Sequence, residues 1–61
     1  MIKLIRIEDV ENLTGFKKSY IYKLISLRKF PKQCKVGRAS RWNHAEVQEW
    51  LEKAIGARHA E

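Results

Sequence analysis

The sequence has little of what small proteins often rely on for stability. Cys34 is its one cysteine, so no intramolecular disulfide can form, and no group of Cys and His stands at the spacing of a zinc site. No apolar run approaches the roughly 20 residues that a membrane span needs, and the first residues lack the apolar stretch of a signal peptide. These absences lead to the expectation of a reduced, cytoplasmic protein with no membrane partner. At 61 residues the chain reads as a single domain over 1–61, with an ordered core over about 4–55 and a tail at 56–61. A domain of this size buries only about 60% of the surface it exposes when unfolded. Its stability must come from apolar burial, aided by whatever it binds.

Acidic side chains are missing from one whole stretch. Residues 17–45 contain no Asp or Glu but carry nine cations: Lys17, Lys18, Lys23, Arg28, Lys29, Lys32, Lys35, Arg38 and Arg41. The other residues hold four basic and seven acidic side chains and net to −3, within a total of +6. A charge run is often only a solvated face. A block of 29 residues without one acid favours a polyanionic partner.

The apolar spacing gives an order of elements. Met1 to Arg6 alternates apolar and basic residues, as an edge strand or an ordered lead-in would. Ile7, Val10 and Leu13 then repeat at i, i+3 and i+6, with Glu8 and Asp9 in the first turn, where the helix dipole favours acids. Thr14-Gly15-Phe16 stops this helix, Gly15 being free to take positive φ. A second helix is expected from about Lys17 to Arg28, with Ile21, Leu24 and Ile25 as its apolar stripe. Ser19, Tyr22, Lys23 and Ser26 point away from that stripe. Pro31 ends the helical region, and Phe30 beside it reads as a core plug.

Gln33 to Trp42 reads as a hairpin turning over Gly37-Arg38-Ala39, with Val36 and Trp42 inward and Lys35 and Arg41 outward. Asn43 then stands as an N-cap with Glu46 three residues later. Val47, Trp50, Leu51, Ala54 and Ile55 mark the last helix, and Gly56 is its expected stop. The fold class is therefore mainly α with a small β-hairpin, a winged helix-turn-helix.

Two helices joined by a short turn containing Gly make a helix-turn-helix, in which the second helix enters the DNA major groove N-terminal end first. Here that end carries Lys17, Lys18 and Ser19. Two lysines at a helix N-terminus oppose the dipole, and a phosphate there would relieve the repulsion. Tyr20, Tyr22, Lys23 and Ser26 are placed to reach base edges or sugars. The hairpin adds Lys35, Arg38, Ser40 and Arg41, which suit a wing following the backbone or entering a minor groove.

The ordered set Leu13-Thr14-Gly15-Phe16, Ser19-Tyr20-Ile21-Tyr22-Lys23-Leu24, Phe30-Pro31, Val36-Gly37-Arg38, Arg41-Trp42 and Glu46-Val47-Gln48-Glu49-Trp50 resembles the AlpA-type prophage regulators. These are small winged-helix proteins related to excisionases and, more distantly, to the MerR DNA-binding domain. The resemblance covers roughly residues 4 to 52. It implies a regulator from a prophage or genomic island that controls transcription or directs an integrase toward excision. It also implies that the second helix reads the major groove and that the hairpin is the wing. Two departures stand out. Lys17 occupies a position where the family usually has Ser or a similar cap, and Leu27-Arg28-Lys29 occupies a segment where the family usually has a Gly.

Other roles are weighed against these. Trp42 and Trp50 could stack on bases, but their spacing with Val47 and Leu51 favours core packing. Tyr22 is balanced between DNA contact and packing, and Tyr20 leans toward packing. His44 and His59 lack the partners of a metal or catalytic site, and Cys34 reads as a half-buried hairpin residue. Glu8, Asp9 and Glu11 read as a solvated face, with a protein-facing patch as the other option. The expected partner is double-stranded DNA, together with an integrase and cooperative self-association on adjacent sites. The alternative is an adaptor that binds an integrase or another protein. RNA binding finds no aromatic strand motif or GXXG loop. No enzyme is expected, nor any cofactor, metal or small-molecule ligand.

Overall fold

A computed structural model describes the backbone of residues 1–59 and the side chains of residues 1–56. Within them run strand β1 (Leu4–Ile5), helices α1 (Ile7–Thr14) and α2 (Lys18–Ser26), strands β2 (Cys34–Val36) and β3 (Ala39–Asn43), and helix α3 (His44–His59). The strands form one antiparallel sheet in the order β1-β3-β2. The mainly α class with a small hairpin is as expected, and the arrangement is winged-helix-like. The opening residues resolve as a strand, with Ile5 opposite Trp42 and Leu4 opposite Asn43.

The core draws one buried side chain from nearly every element. Ile5 comes from β1, Val10 from α1, Ile21 from α2, Phe30 from the following loop, Trp42 from β3 and Val47 from α3. Only β2 contributes none. Ile7, Phe16, Leu24, Ile25, Trp50 and Leu51 pack around this centre. Both tryptophans are packing residues, and both satisfy their indole N–H with backbone. Trp42 donates to the Pro31 carbonyl at 3.2 Å and Trp50 to that of Lys29 at 2.8 Å. Those two bonds tie the loop after α2 to β3 and α3, and Phe30 packs edge-on against Trp50 at 4.8 Å between ring centroids.

The helix ends explain the tight connections. Asp9 accepts the Arg6 N–H at 3.1 Å, half of a capping box; Arg6 has no acceptor with which to return the bond. α1 stops where Gly15 takes φ 77 and donates its N–H to the Glu11 carbonyl at 2.7 Å. The Thr14 hydroxyl donates to the Val10 carbonyl and accepts the Phe16 N–H, which fixes the turn into α2. At α3 the His44 N–H donates to the Lys3 carbonyl and the Ala45 N–H to Asn43 Oδ1. Asn43 is thus both the last residue of β3 and the cap of α3.

Three sequence expectations are corrected. α2 ends at Ser26, not near Arg28. The chain turns early because Phe30 must reach the core, and a residue before proline favours extended backbone. Arg28 takes φ 59 to make this turn, a conformation that costs a non-glycine residue about 1 kcal/mol. It falls within the segment where the resemblance leads one to expect glycine. α3, in turn, does not stop at Gly56 but runs to His59. Gly56 has no positive φ, and a single glycine lowers helix stability by about 1 kcal/mol relative to Ala without ending it. Ala60 and Glu61, the end of the expected tail, lie outside the described residues.

The third correction concerns the hairpin. Val36 pairs with Ala39 across a two-residue turn, Gly37-Arg38, in which Gly37 takes φ 63. A three-residue turn over 37–39 would have paired Val36 with Ser40 and put it on the face of Trp42. One residue fewer flips that face. Val36 is therefore 53% exposed, on the same side as Cys34 and Arg41, while Lys35 and Ser40 share the side of Trp42.

Candidate nucleic-acid interface

α2 is packed by one side and leaves the other free. Ile21 is fully buried and Leu24 and Ile25 are half-buried, while Lys18, Ser19, Tyr20, Tyr22, Lys23 and Ser26 are exposed. The free face is the one that the periodicity assigned to DNA. Its two tyrosines are held at their inner ends only. Tyr20 packs edge-on against Phe16 at 4.9 Å and remains 46% exposed, and Tyr22 packs edge-on against Trp42 at 6.0 Å and remains 37% exposed. Each has an apolar body anchored in the fold and a phenol left free for an outside partner. The Ser26 hydroxyl donates to the Lys23 carbonyl at 2.7 Å, so it is spent as a donor and available as an acceptor.

The start of α2 is arranged differently from the expectation of a bare, anion-seeking end. Lys17 takes the cap position with extended backbone and no side-chain cap, but the Lys18 N–H donates to Glu11 Oε2 at 3.0 Å. The carboxylate of α1 thus supplies the anion that the helix dipole favours. By sequence Glu11 belongs to a solvated acidic face; it lies seven positions before the N–H it caps, and local sequence gives no signal for such a bond. A phosphate approaching here would meet the lysine side chains, not the Lys18 N–H.

The wing continues the basic surface. Lys35 and Arg38 are exposed, Arg38 in the turn itself. Ser40 and Arg41 are half-buried, and Arg41 Nη1 donates back to the Ser40 carbonyl at 2.9 Å. Because Tyr22 of α2 rests on Trp42, the Lys35 and Ser40 side of the sheet is the one α2 lies against. Arg41 is on the opposite side with Val36. Lys35 is therefore the strand cation on the side of α2, and Arg38 stands exposed in the turn beyond it.

The acids stand elsewhere. Glu8, Asp9 and Glu11 belong to α1, and Glu46, Glu49 and Glu52 to α3. His44 begins α3 and uses its backbone N–H as a cap donor, whereas the side chain of His59 lies outside the described residues. Cys34 is exposed, not half-buried. Among the described residues, no helix is long and apolar enough to cross a membrane.

A short helix pair with a glycine turn, a basic outer helix and a basic two-stranded wing together define a small winged helix-turn-helix protein. The chain belongs to the AlpA family: residues 3–55 match the family described as prophage CP4-57 regulatory protein (AlpA). It is also similar to a protein of Enterobacteria phage P4 described as "Uncharacterized protein ORF88", with 35% identity over 57 residues. That match covers 92% of this chain and 65% of the relative. No solved structure matches the chain.

Proposed function

We propose that this protein binds double-stranded DNA sequence-specifically as a regulator of a prophage or genomic island. α2 enters the major groove with Ser19, Tyr20, Tyr22, Lys23 and Ser26 toward the bases, and Lys17 and Lys18 meet phosphates at the groove edge. The β2–β3 hairpin follows the adjacent backbone through Lys35 and Arg38, with Ser40 beside Lys35 on the same face and Arg41 on the opposite one. One observation carries the reading: cations stand on the free face of α2 and on the wing, neither of which carries an acid of its own, while the acids lie on α1 and α3 and only Glu11 reaches α2, at its first N–H. Segregation of this kind creates a local positive field that a net charge of +6 spread evenly would not. The regulatory family supports the same reading. In the cell the protein acts in the cytoplasm on the chromosome or an integrated element, either on a promoter or as an excisionase that helps place an integrase. One such domain reads a short site, and several copies bind adjacent sites cooperatively.

Fluorescence anisotropy tests this. Duplexes from the region upstream of the protein's own gene and from the nearest attachment site are compared with a scrambled duplex across a salt series. Binding about 10³-fold tighter to one natural duplex, weakening steeply with salt, is the expected result. Equal, weak binding to every duplex would reject sequence-specific recognition and direct attention to a protein partner such as an integrase.

A further inference from the structure

We infer that Arg28 is a phosphate-binding residue of the DNA interface, holding the backbone at the opposite end of α2 from Lys17 and Lys18. This rests on the DNA-binding reading above and adds to it a residue from the loop after α2. The starting observation is conformational. Arg28 has φ 59, the one positive φ of a non-glycine among the described residues. Hydrogen bonding demands that conformation: the Arg28 N–H donates to the Ile25 carbonyl at 2.9 Å and the Lys29 N–H to that of Leu24 at 2.8 Å. Those two bonds close α2 as a Schellman motif, whose pivot residue is left-handed. Glycine takes that conformation freely, whereas the Cβ of arginine meets a steric penalty. At its two other left-handed positions the chain uses glycine, Gly15 and Gly37.

Strain of this kind persists where the side chain is favoured for another reason. Inside the molecule no such reason is visible. The Arg28 side chain is exposed, and none of the side-chain hydrogen bonds among the described residues uses its guanidinium. A cation near a helix C-terminus complements the dipole, but Lys23 in the last turn of α2 already does so without strain. Lys32, nearby in sequence, borders a groove shared with the Glu46 and Glu49 carboxylates; Arg28 does not.

Length supplies the remaining argument. The nine residues of α2 span about 13.5 Å, close to the roughly 12 Å width of the major groove. Laid across the groove, a helix of that length brings its two ends near the two phosphate strands that border it. Lys17 and Lys18 stand at one end and Arg28 at the other. The planar guanidinium fork suits two-point binding of a phosphate.

The test uses Arg28→Gly, Arg28→Lys and Lys23→Ala beside the wild type, on a mixed-sequence duplex of about 20 base pairs from about 50 to 200 mM salt. Phosphate contacts are independent of sequence, so no target site is needed. Arg28→Gly is expected to raise Tm by about 5 °C and yet bind about five- to tenfold more weakly, with a salt slope smaller by about 0.9. Arg28→Lys should keep the wild-type slope. If Arg28→Gly melts higher but binds with wild-type affinity and slope while Lys23→Ala loses binding, the assignment of Arg28 is overturned and the DNA reading stands. A wild-type chain that binds neither this duplex nor the natural ones would overturn both.

Discussion

Strand β3 serves two unlike neighbours. Along one edge it pairs with β1, and the facing residues Ile5 and Trp42 are both buried. Along the other it pairs with β2, whose three residues are all exposed. The first ladder is part of the core, and the second extends from it as the wing. The difference separates the residues that make the chain fold from those free to meet a partner. Trp42 lies at the boundary, buried against the body while Tyr22 of the free α2 face rests on it. Damage to the body should therefore abolish folding and binding together, and damage to the wing should affect binding alone.

The largest expected effect tests the body. Trp42→Ala removes the largest fully buried side chain and strands the Pro31 carbonyl that its indole N–H satisfies. Truncations of this type cost about 3–5 kcal/mol, against a total stability for so small a domain near the low end of about 5–15 kcal/mol. Circular dichroism and urea titration should show a chain largely unfolded at 25 °C without denaturant. A cooperative transition near the wild-type midpoint would show that Trp42 does not hold the two halves together.

The second prediction tests the wing. Replacing Lys35 and Arg38 together by Ala should leave Tm within a few degrees of wild type, since both side chains are exposed and surface changes are usually within about 0.5 kcal/mol. The same pair should reduce the salt slope of DNA binding by about 1.8, that is, about 0.9 per phosphate contact. A large drop in Tm would show that the wing contributes to folding after all, and an unchanged slope would remove these two residues from the interface.

A smaller effect is expected at the junction of the two helices. Glu11→Ala removes the carboxylate that accepts the Lys18 N–H and leaves the start of α2 with two lysines and no cap. Loss of an N-cap acceptor costs about 1 kcal/mol, equivalent to a fall in Tm of about 4–8 °C for a domain of this size. Glu11→Gln keeps an acceptor oxygen without the charge and should lose less. If Glu11→Gln melts like the wild type, the charge contributes nothing at this helix end; if it melts like Glu11→Ala, the acceptor oxygen contributes nothing without the charge.

What could be read from the sequence, and what could not, follows the range of the interactions concerned. The cores of α1, α2 and α3 were readable because helical periodicity is local, and the two tryptophans were readable as packing residues from their spacing on and before α3. β1 is undecided between strand and lead-in from sequence because its partner, β3, lies beyond both α1 and α2 in the chain. α2 ends earlier than its periodicity suggests because Phe30 and the two indole bonds force the turn, and none of these is visible as a local pattern. At the candidate site the basic face of α2 followed directly from periodicity. The cap from Glu11 could not be foreseen, since it depends on how α1 and α2 dock. One residue of turn length decides which face of the wing is inward, and it exchanges Val36 with Lys35.

That exchange supplies the prediction with the smallest effect. Val36 is exposed beside the turn, opposite Ala39 and on the side away from Trp42. Val36→Thr keeps the β-branched shape that suits a strand and adds a hydroxyl that would cost about 1–3 kcal/mol if it were buried without a partner. With Val36 facing solvent, the change should move the stability by less than about 0.5 kcal/mol and leave the salt dependence of DNA binding unaltered. Thermal unfolding decides between the two registers. A Tm fall of several degrees would mean that position 36 faces the core and that the hairpin turns over three residues. An unchanged Tm fixes the two-residue turn, and with it Lys35 as the strand residue that the wing presents on the side of α2.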